Sequence, residues 1–226
     1  MSETVTIEAR FNGPEGSGNG GYTCGLVAQE LGGESEVTLR LPPPLDRPLA
    51  LVREEERICL LDGELLVAEC RVGRVDLDPP APPSFAEAEA ASRGYAGFVS
   101  HAFPTCFVCG PDRADGLRIF AGPLEDREVV AAPWVPDGAG DRVAEELVWA
   151  ALDCPGAFAV GFSERGEAVL GRMAARIDAR PRVGERHVVI AWPLGEDGRK
   201  LYAGTALFTE SGDLLGVARQ TWIVPR

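Results

Sequence analysis

Three stretches of this sequence carry residue types that could do chemistry. The first is Asp153, in the otherwise apolar run "LVWAALDCPGAFA" at 147–159. A carboxylate inside an apolar helix face is costly unless it is used, and a general base or nucleophile is one use. A buried or capping aspartate before a break at Cys154-Pro155 explains the same pattern. The second is "GSGNGG" at 16–21, ahead of Leu26, Val27 and Leu31. Glycine weakens a helix interior by about 1 kcal/mol. Its concentration at a helix start therefore suggests a ligand close to the free N–H groups there, although a flexible loop before a core helix has the same composition. The third is Cys106-Phe-Val-Cys109. One such pair supplies two of the four ligands of a structural zinc site. His101 could be a third and no fourth is evident, so neither a metal nor a cofactor is expected and the pair reads as a strand-opening turn. Cys154 reads as a packed thiol, since no histidine pairs with it. The two histidines, His101 in a linker and His187 in "GERHVVIAW", read as surface or strand residues.

The chain has 226 residues, a formal net charge of −13, 45% hydrophobic residues and one lysine, Lys200. That length buries a sizeable core, as one large domain or two small ones. So acidic a chain, with no basic cluster, is a poor binder of nucleic acid or anionic membranes. No apolar run is long enough to span a bilayer, and "MSETVTIEAR" is too polar for a secretory signal. Six cysteines without such a signal point to reduced thiols and a cytoplasmic location.

The elements that must position these residues follow from periodicity. "TVTIEARF" (4–11) alternates as a strand, a helix covers the stretch after the glycines, and "SEVTLRL" (35–41) alternates again. "ICLLDGELLVAECRV" reads as a hairpin about Asp62-Gly63. Residues 77–104 form a proline- and alanine-rich linker, with Ser84 and Glu87 as a capping box for a short helix. Beyond it, "GLRIFAGP" and "REVVAAPW" read as strands, and 141–162 as a helix with Asp141 as N-cap and a kink or end near Asp153 imposed by Pro155. Four strand-like runs follow, the last two joined at "ESGD".

The order of elements occurs twice. "SEVTLRLPPPLDRPLALV" parallels "GRMAARIDARPRVGERHVVI", and "ICLLDGELLVAECRV" parallels "ALFTESGDLLGVARQTW", with Val67-Ala68 matching Val217-Ala218. Units at 1–76 and 105–226 are expected. One helix followed by antiparallel strands, duplicated, resembles the hotdog superfamily, an α+β fold whose members include acyl-CoA thioesterases. "NGGYTCGLVA" is similar to the helix-opening motif of phenylacetate-degradation-type thioesterases, with Asn19 where that family has histidine. "LVWAALDCPGAFA" is similar to its acid-bearing helix, and "CFVCGPDRADGLRIF" to the Cys-x-x-Cys-Gly…Gly-Leu stretch that often opens such proteins.

The resemblance implies a tandem double hotdog that hydrolyses an acyl-CoA-like thioester, or a non-catalytic double hotdog that binds an acyl ligand or builds an assembly. It also implies roles. The family's acid follows its second glycine by seven residues, about two helical turns or ~10 Å. That position is Ala28 after Gly21 in the first unit and Asp153 after Glu146 in the second. The first unit keeps the amide cradle and the second keeps the acid. One composite site is therefore expected, with Asp153 catalytic and Asn19, Gly20, Gly21 and Tyr22 binding substrate. Single-hotdog proteins dimerise. The duplication supplies that contact within one chain, and further pairing into a homodimer is expected.

Overall fold

The computed structural model describes residues 3–162 and 168–225. Strands β1 (Glu3–Thr6), β2 (Ser35–Leu39), β3 (Pro48–Arg53), β4 (Ile58–Asp62) and β5 (Leu65–Val72) belong with helix α1 (Gly20–Ala28). After helix α2 (Phe85–Ser92) come β6 (Gly122–Pro123), β7 (Val130–Trp134), helix α3 (Glu145–Ala159), β8 (Val169–Ile177), β9 (His187–Asp197), β10 (Lys200–Thr209) and β11 (Leu214–Ile223).

All strands join one sheet in the order β1-β3-β4-β5-β2-β8-β11-β10-β9-β7-β6. From the middle outward the halves mirror each other: β2, β5, β4, β3, β1 on one side and β8, β11, β10, β9, β7 on the other. The seam is the antiparallel pair β2–β8, with Ser35 opposite Ala175 and Thr38 opposite Arg172. Every neighbour in the sheet is antiparallel, and α1 and α3 pack on each other and on the strands. This is the double hotdog. Residues Gly21–Ala28 of α1 and Val148–Ala157 of α3 are all buried or nearly so. Helices this apolar on every side are stable only when wrapped, which the sheet provides.

The hairpin at Gly63 (φ 60°) and the capping box of Ser84 and Glu87 form as expected. Helix α2 lays Phe85, Ala88 and Ala91 on the sheet's outer face, in a cluster with Ala131, Ile190 and Trp192. Among the described residues no helix is long and apolar enough to cross a membrane.

Four local expectations are corrected. The first strand stops at Thr6, and Ala9–Phe11 turns as a 3-10 helix. Only Gly122–Pro123 of "GLRIFAGP" is strand. The rest is loop tied down by Leu117 N–H to the Phe107 carbonyl (2.8 Å) and Ile119 N–H to that of Val108 (2.9 Å). Asp141 does not cap α3. Its carbonyl accepts from Val183 N–H (3.1 Å) and Val143 N–H donates to the Pro181 carbonyl (2.9 Å), so the helix starts at Glu145 after an Ala144 N-cap that makes no side-chain bond. Nor does Pro155 end α3, which runs on to Ala159. Burial on all sides outweighs the one backbone bond that proline removes.

Candidate functional site

The start of α1 abuts the middle of α3, and the contact is built from short side chains. Asn19 is the N-cap: its Oδ1 accepts from Tyr22 N–H (2.9 Å), which leaves its amide nitrogen to donate to Asp153 Oδ2 (3.0 Å). Gly21 N–H donates to the same oxygen (2.9 Å). A Cβ at Gly21 would lie 2.4 Å from Asp153 Cβ and 2.7 Å from the Trp149 carbonyl oxygen. One turn on, a Cβ at Gly25 would lie 2.5 Å from Glu146 Cα. These glycines admit the backbone of α3. The close approach that glycine signals is real, but at Gly21 the approaching group is another helix of the same chain. Gly20 differs: it lines a cavity, and its N–H has no acceptor among the described residues. Tyr22 lies outside the cavity wall, its ring stacked on Phe11 at 4.0 Å and edge-on to Phe107.

Asp153 is 2% exposed. Its Oδ1 is buried and has no hydrogen-bond partner among the described residues. Burial pushes its carboxyl up to about 7, against the pull of the Gly21 N–H and the Asn19 amide. The α3 backbone at this point is held by Gln220 of β11, whose amide donates to the carbonyls of Leu152 (2.6 Å) and Asp153 (3.0 Å) and accepts from Trp222 Nε1 (2.9 Å). A Cβ at Gly156 would sit 1.7 Å from Gln220 Oε1, so this glycine makes room for that amide beside Pro155. Sequence reasoning missed Gln220. Its signal was a polar residue at an inward position of a strand whose inward neighbours, Ala218 and Trp222, are core.

The cavity has a volume of about 440 Å³. Its wall is mostly apolar, with Leu39, Leu170, Phe158, Phe162 and Trp222, and Asn19, Gly20 and Asp153 reach it from the helix contact. His101 lines it too, contrary to its reading as a surface or strand residue. Phe103 N–H donates to His101 Nδ1 (2.9 Å), so Nε2 carries the ring proton of the neutral form and faces Cys109 Sγ at 3.3 Å. Burial lowers this histidine's basicity. Cys106, Cys109 and Cys154 line the same cavity. The expected turn is present at Cys106–Cys109, and the fold adds a third cysteine that sequence spacing could not connect to it. His187 lies elsewhere, with its Nδ1 2.9 Å from the Glu185 carbonyl.

The symmetry-related helix start has Glu145 and Glu146 in the first turn of α3, and Ala28 of α1 stands in the place of Asp153.

No family model matches the chain, and no curated protein sequence does. Solved structures do match in shape. A tesB protein of Mycobacterium avium subspecies paratuberculosis superposes with a TM-score of 0.64 at 15% identity, over 99% of this chain and 92% of its own. A protein of unknown function with a hot dog fold from Alicyclobacillus acidocaldarius gives 0.65 at 10% identity, over 99% and 92%. The acyl-CoA thioesterase II TesB2 of Mycobacterium marinum gives 0.55 at 11% identity, over 85% and 80%. At these identities the likeness establishes the fold.

Proposed function

We propose that this double hotdog hydrolyses an acyl thioester of the coenzyme A type at one site, formed by the start of α1 and by Asp153 of α3. The two units are read as 1–76 and 105–226, with 77–104 between them. One observation carries the reading: Asp153, which lines the cavity, has one oxygen held by Gly21 and Asn19 and the other buried and unpartnered. A carboxylate so held is oriented by Oδ2 and free to act through Oδ1.

The apolar wall receives the acyl chain. The thioester carbonyl rests against the Gly20 N–H, where the helix dipole favours the negative charge that develops on its oxygen. Water bonded to Oδ1 gives its proton to Asp153 as its oxygen adds to the carbonyl carbon. When the tetrahedral intermediate collapses, the carbon–sulfur bond breaks and the proton passes to the departing sulfur. Asn19 Nδ2 and Gly21 N–H keep the carboxylate in place throughout. The name of the M. marinum structure agrees with this substrate class.

The test is thiol release from a panel of acyl-CoA thioesters. Hydrolysis by the wild-type chain is expected, with a fall of about 10²–10⁴ in Asp153→Asn. Unchanged turnover in that variant would remove Asp153 from the mechanism. Saturable binding of acyl-CoA with no turnover by the wild type would overturn the hydrolytic reading in favour of a ligand-binding module.

A further inference from the structure

Three sulfurs from two separate parts of the chain converge beside the proposed site, and thioester hydrolysis makes no use of them. Cys106 and Cys109 come from the loop before β6, and Cys154 comes from α3. All three are buried and free, and their Sγ atoms lie within 4.8 Å of one another. Cys106 Sγ is 3.7 Å from Cys154 Sγ. Two thiolates on a tetrahedral zinc, each bonded at about 2.3 Å, stand about 3.8 Å apart.

The surroundings are arranged around sulfur that accepts hydrogen bonds. Gly110 N–H donates to the Cys106 carbonyl (2.9 Å), closing the Cys-x-x-Cys turn, and a Cβ at Gly110 would lie 2.5 Å from Cys106 N. Asn19 Nδ2 lies 3.8 Å from Cys154 Sγ and 4.0 Å from Cys106 Sγ. His101 Nε2–H faces Cys109 Sγ at 3.3 Å. Amide and imidazole N–H groups facing the sulfurs are the outer contacts that orient metal-ligating side chains. No arginine or lysine among the described residues bonds to any of the three sulfurs, so no protein cation occupies the space between them.

We propose that Cys106, Cys109 and Cys154 bind a thiophilic divalent metal ion, with zinc the best fit, and that its fourth position opens on the cavity. His101 serves there as a hydrogen-bonding partner of Cys109. It is not the fourth ligand, because the Phe103 N–H occupies Nδ1 and leaves Nε2 protonated. Water, or a donor group of whatever fills the cavity, completes the coordination. The proposal is independent of the reaction assigned above.

The experiment uses the full chain, purified under reducing, oxygen-free conditions. Its zinc content is measured, the metal is removed with a chelator, and Co²⁺ alone is added back. One metal per chain is expected, with near-ultraviolet thiolate-to-cobalt charge transfer of three-thiolate intensity and strong visible bands of a tetrahedral ion. Cys106→Ser and Cys154→Ser should each weaken binding by about 100-fold or more, and Cys59→Ser, remote from the cluster, should leave it unchanged. His101→Ala should weaken it by about 10-fold and keep the tetrahedral bands. A wild-type chain that holds no zinc and gives no charge-transfer band with Co²⁺ overturns the proposal, whether or not the serine variants fold. Loss in His101→Ala as large as in Cys154→Ser would overturn the open position and make His101 the fourth ligand.

Discussion

Two buried carboxylates, one on strand β5 and one on helix α3, are treated in opposite ways. Glu69 of β5 is ringed by Arg40, Arg57 and Arg71, and the hydrogen bond from Arg40, followed by that from Arg57, draws its carboxyl down to about 2. Asp153 of α3 has only an amide side chain and one backbone N–H, and burial pushes it up to about 7. Glu69 is paired at both oxygens, whereas Asp153 is left with Oδ1 unpaired. The first arrangement stabilises a charge where the chain folds around it. The second keeps a charge uncompensated where a cavity reaches it, which is how groups that react, rather than hold, are usually housed.

The comparison breaks most visibly on turnover. If the proposed function holds, Asp153→Asn lowers thioester hydrolysis by about 10²–10⁴, while Glu69→Gln leaves it near the wild-type rate; equal losses, measured by thiol release, would erase the distinction. Stability should move the other way. Asp153→Asn removes a buried, poorly compensated charge and is expected to raise unfolding free energy at pH 8 by about 1–3 kcal/mol in urea titration. A loss of stability would mean that Asp153 is better satisfied than its two hydrogen bonds indicate. Gly21→Ala sharpens the same point from the other helix. Its new Cβ meets α3 at 2.4 Å, so a destabilisation of about 1–3 kcal/mol is expected by thermal melting. Glu146→Gly, at the equivalent place of the other helix start, should cost about 1 kcal/mol or less.

The effect at Glu69 is comparably small. Its arginines stand partly in water, with side-chain exposures of 51% for Arg40 and 56% for Arg71, so Glu69→Gln is expected to cost only about 1 kcal/mol at pH 7. The sign of its pH dependence is fixed by the lowered folded value. Its contribution is fully present above the unfolded value of about 4.3 and is lost as pH falls toward 2. The wild type and Glu69→Gln should therefore converge between pH 5 and pH 2; a gap that stays constant would show that the ion pairs are not its source.

Much of the architecture could be read from the sequence because it is written twice. The matched strand runs around Val67-Ala68 and Val217-Ala218 are β5 and β11, which occupy equivalent places in the sheet. The proximity of the glycine-rich helix start to Asp153 was accessible only through the glycine-to-acid offset that the family resemblance implied. What could not be read depended on partners far away in the chain. Asp141 looked like a cap until Pro181 and Val183 claimed the backbone around it. Pro155 looked like a helix end because nothing local announces Gln220, 65 positions later, bonding to the carbonyls just before it. Tyr22 follows the glycines in sequence, yet its ring turns to Phe11 and Phe107, because an aromatic ring beside a buried helix start packs where other rings are. His101 stood near Cys106 and Cys109 in sequence, but Cys154 carried no signal that could tie it to them.

The seam between β2 and β8 has a hereditary consequence. When two identical polypeptides meet at such a seam, one codon writes both helix starts, and replacing the acid at one removes it from the other. Here each helix start has its own codons. Ala28 could lose, or never acquire, a carboxylate while Asp153 kept one, and Glu146 could stand where Gly21 has no side chain. If the proposed function holds, the place of Ala28 and Glu146 is released from catalytic selection and constrained only by packing, while Asn19, Gly20 and Gly21 in the same half are not. Substitutions along α1 from Thr23 to Ala28 should therefore be filtered by volume, and those around Asp153 by chemistry.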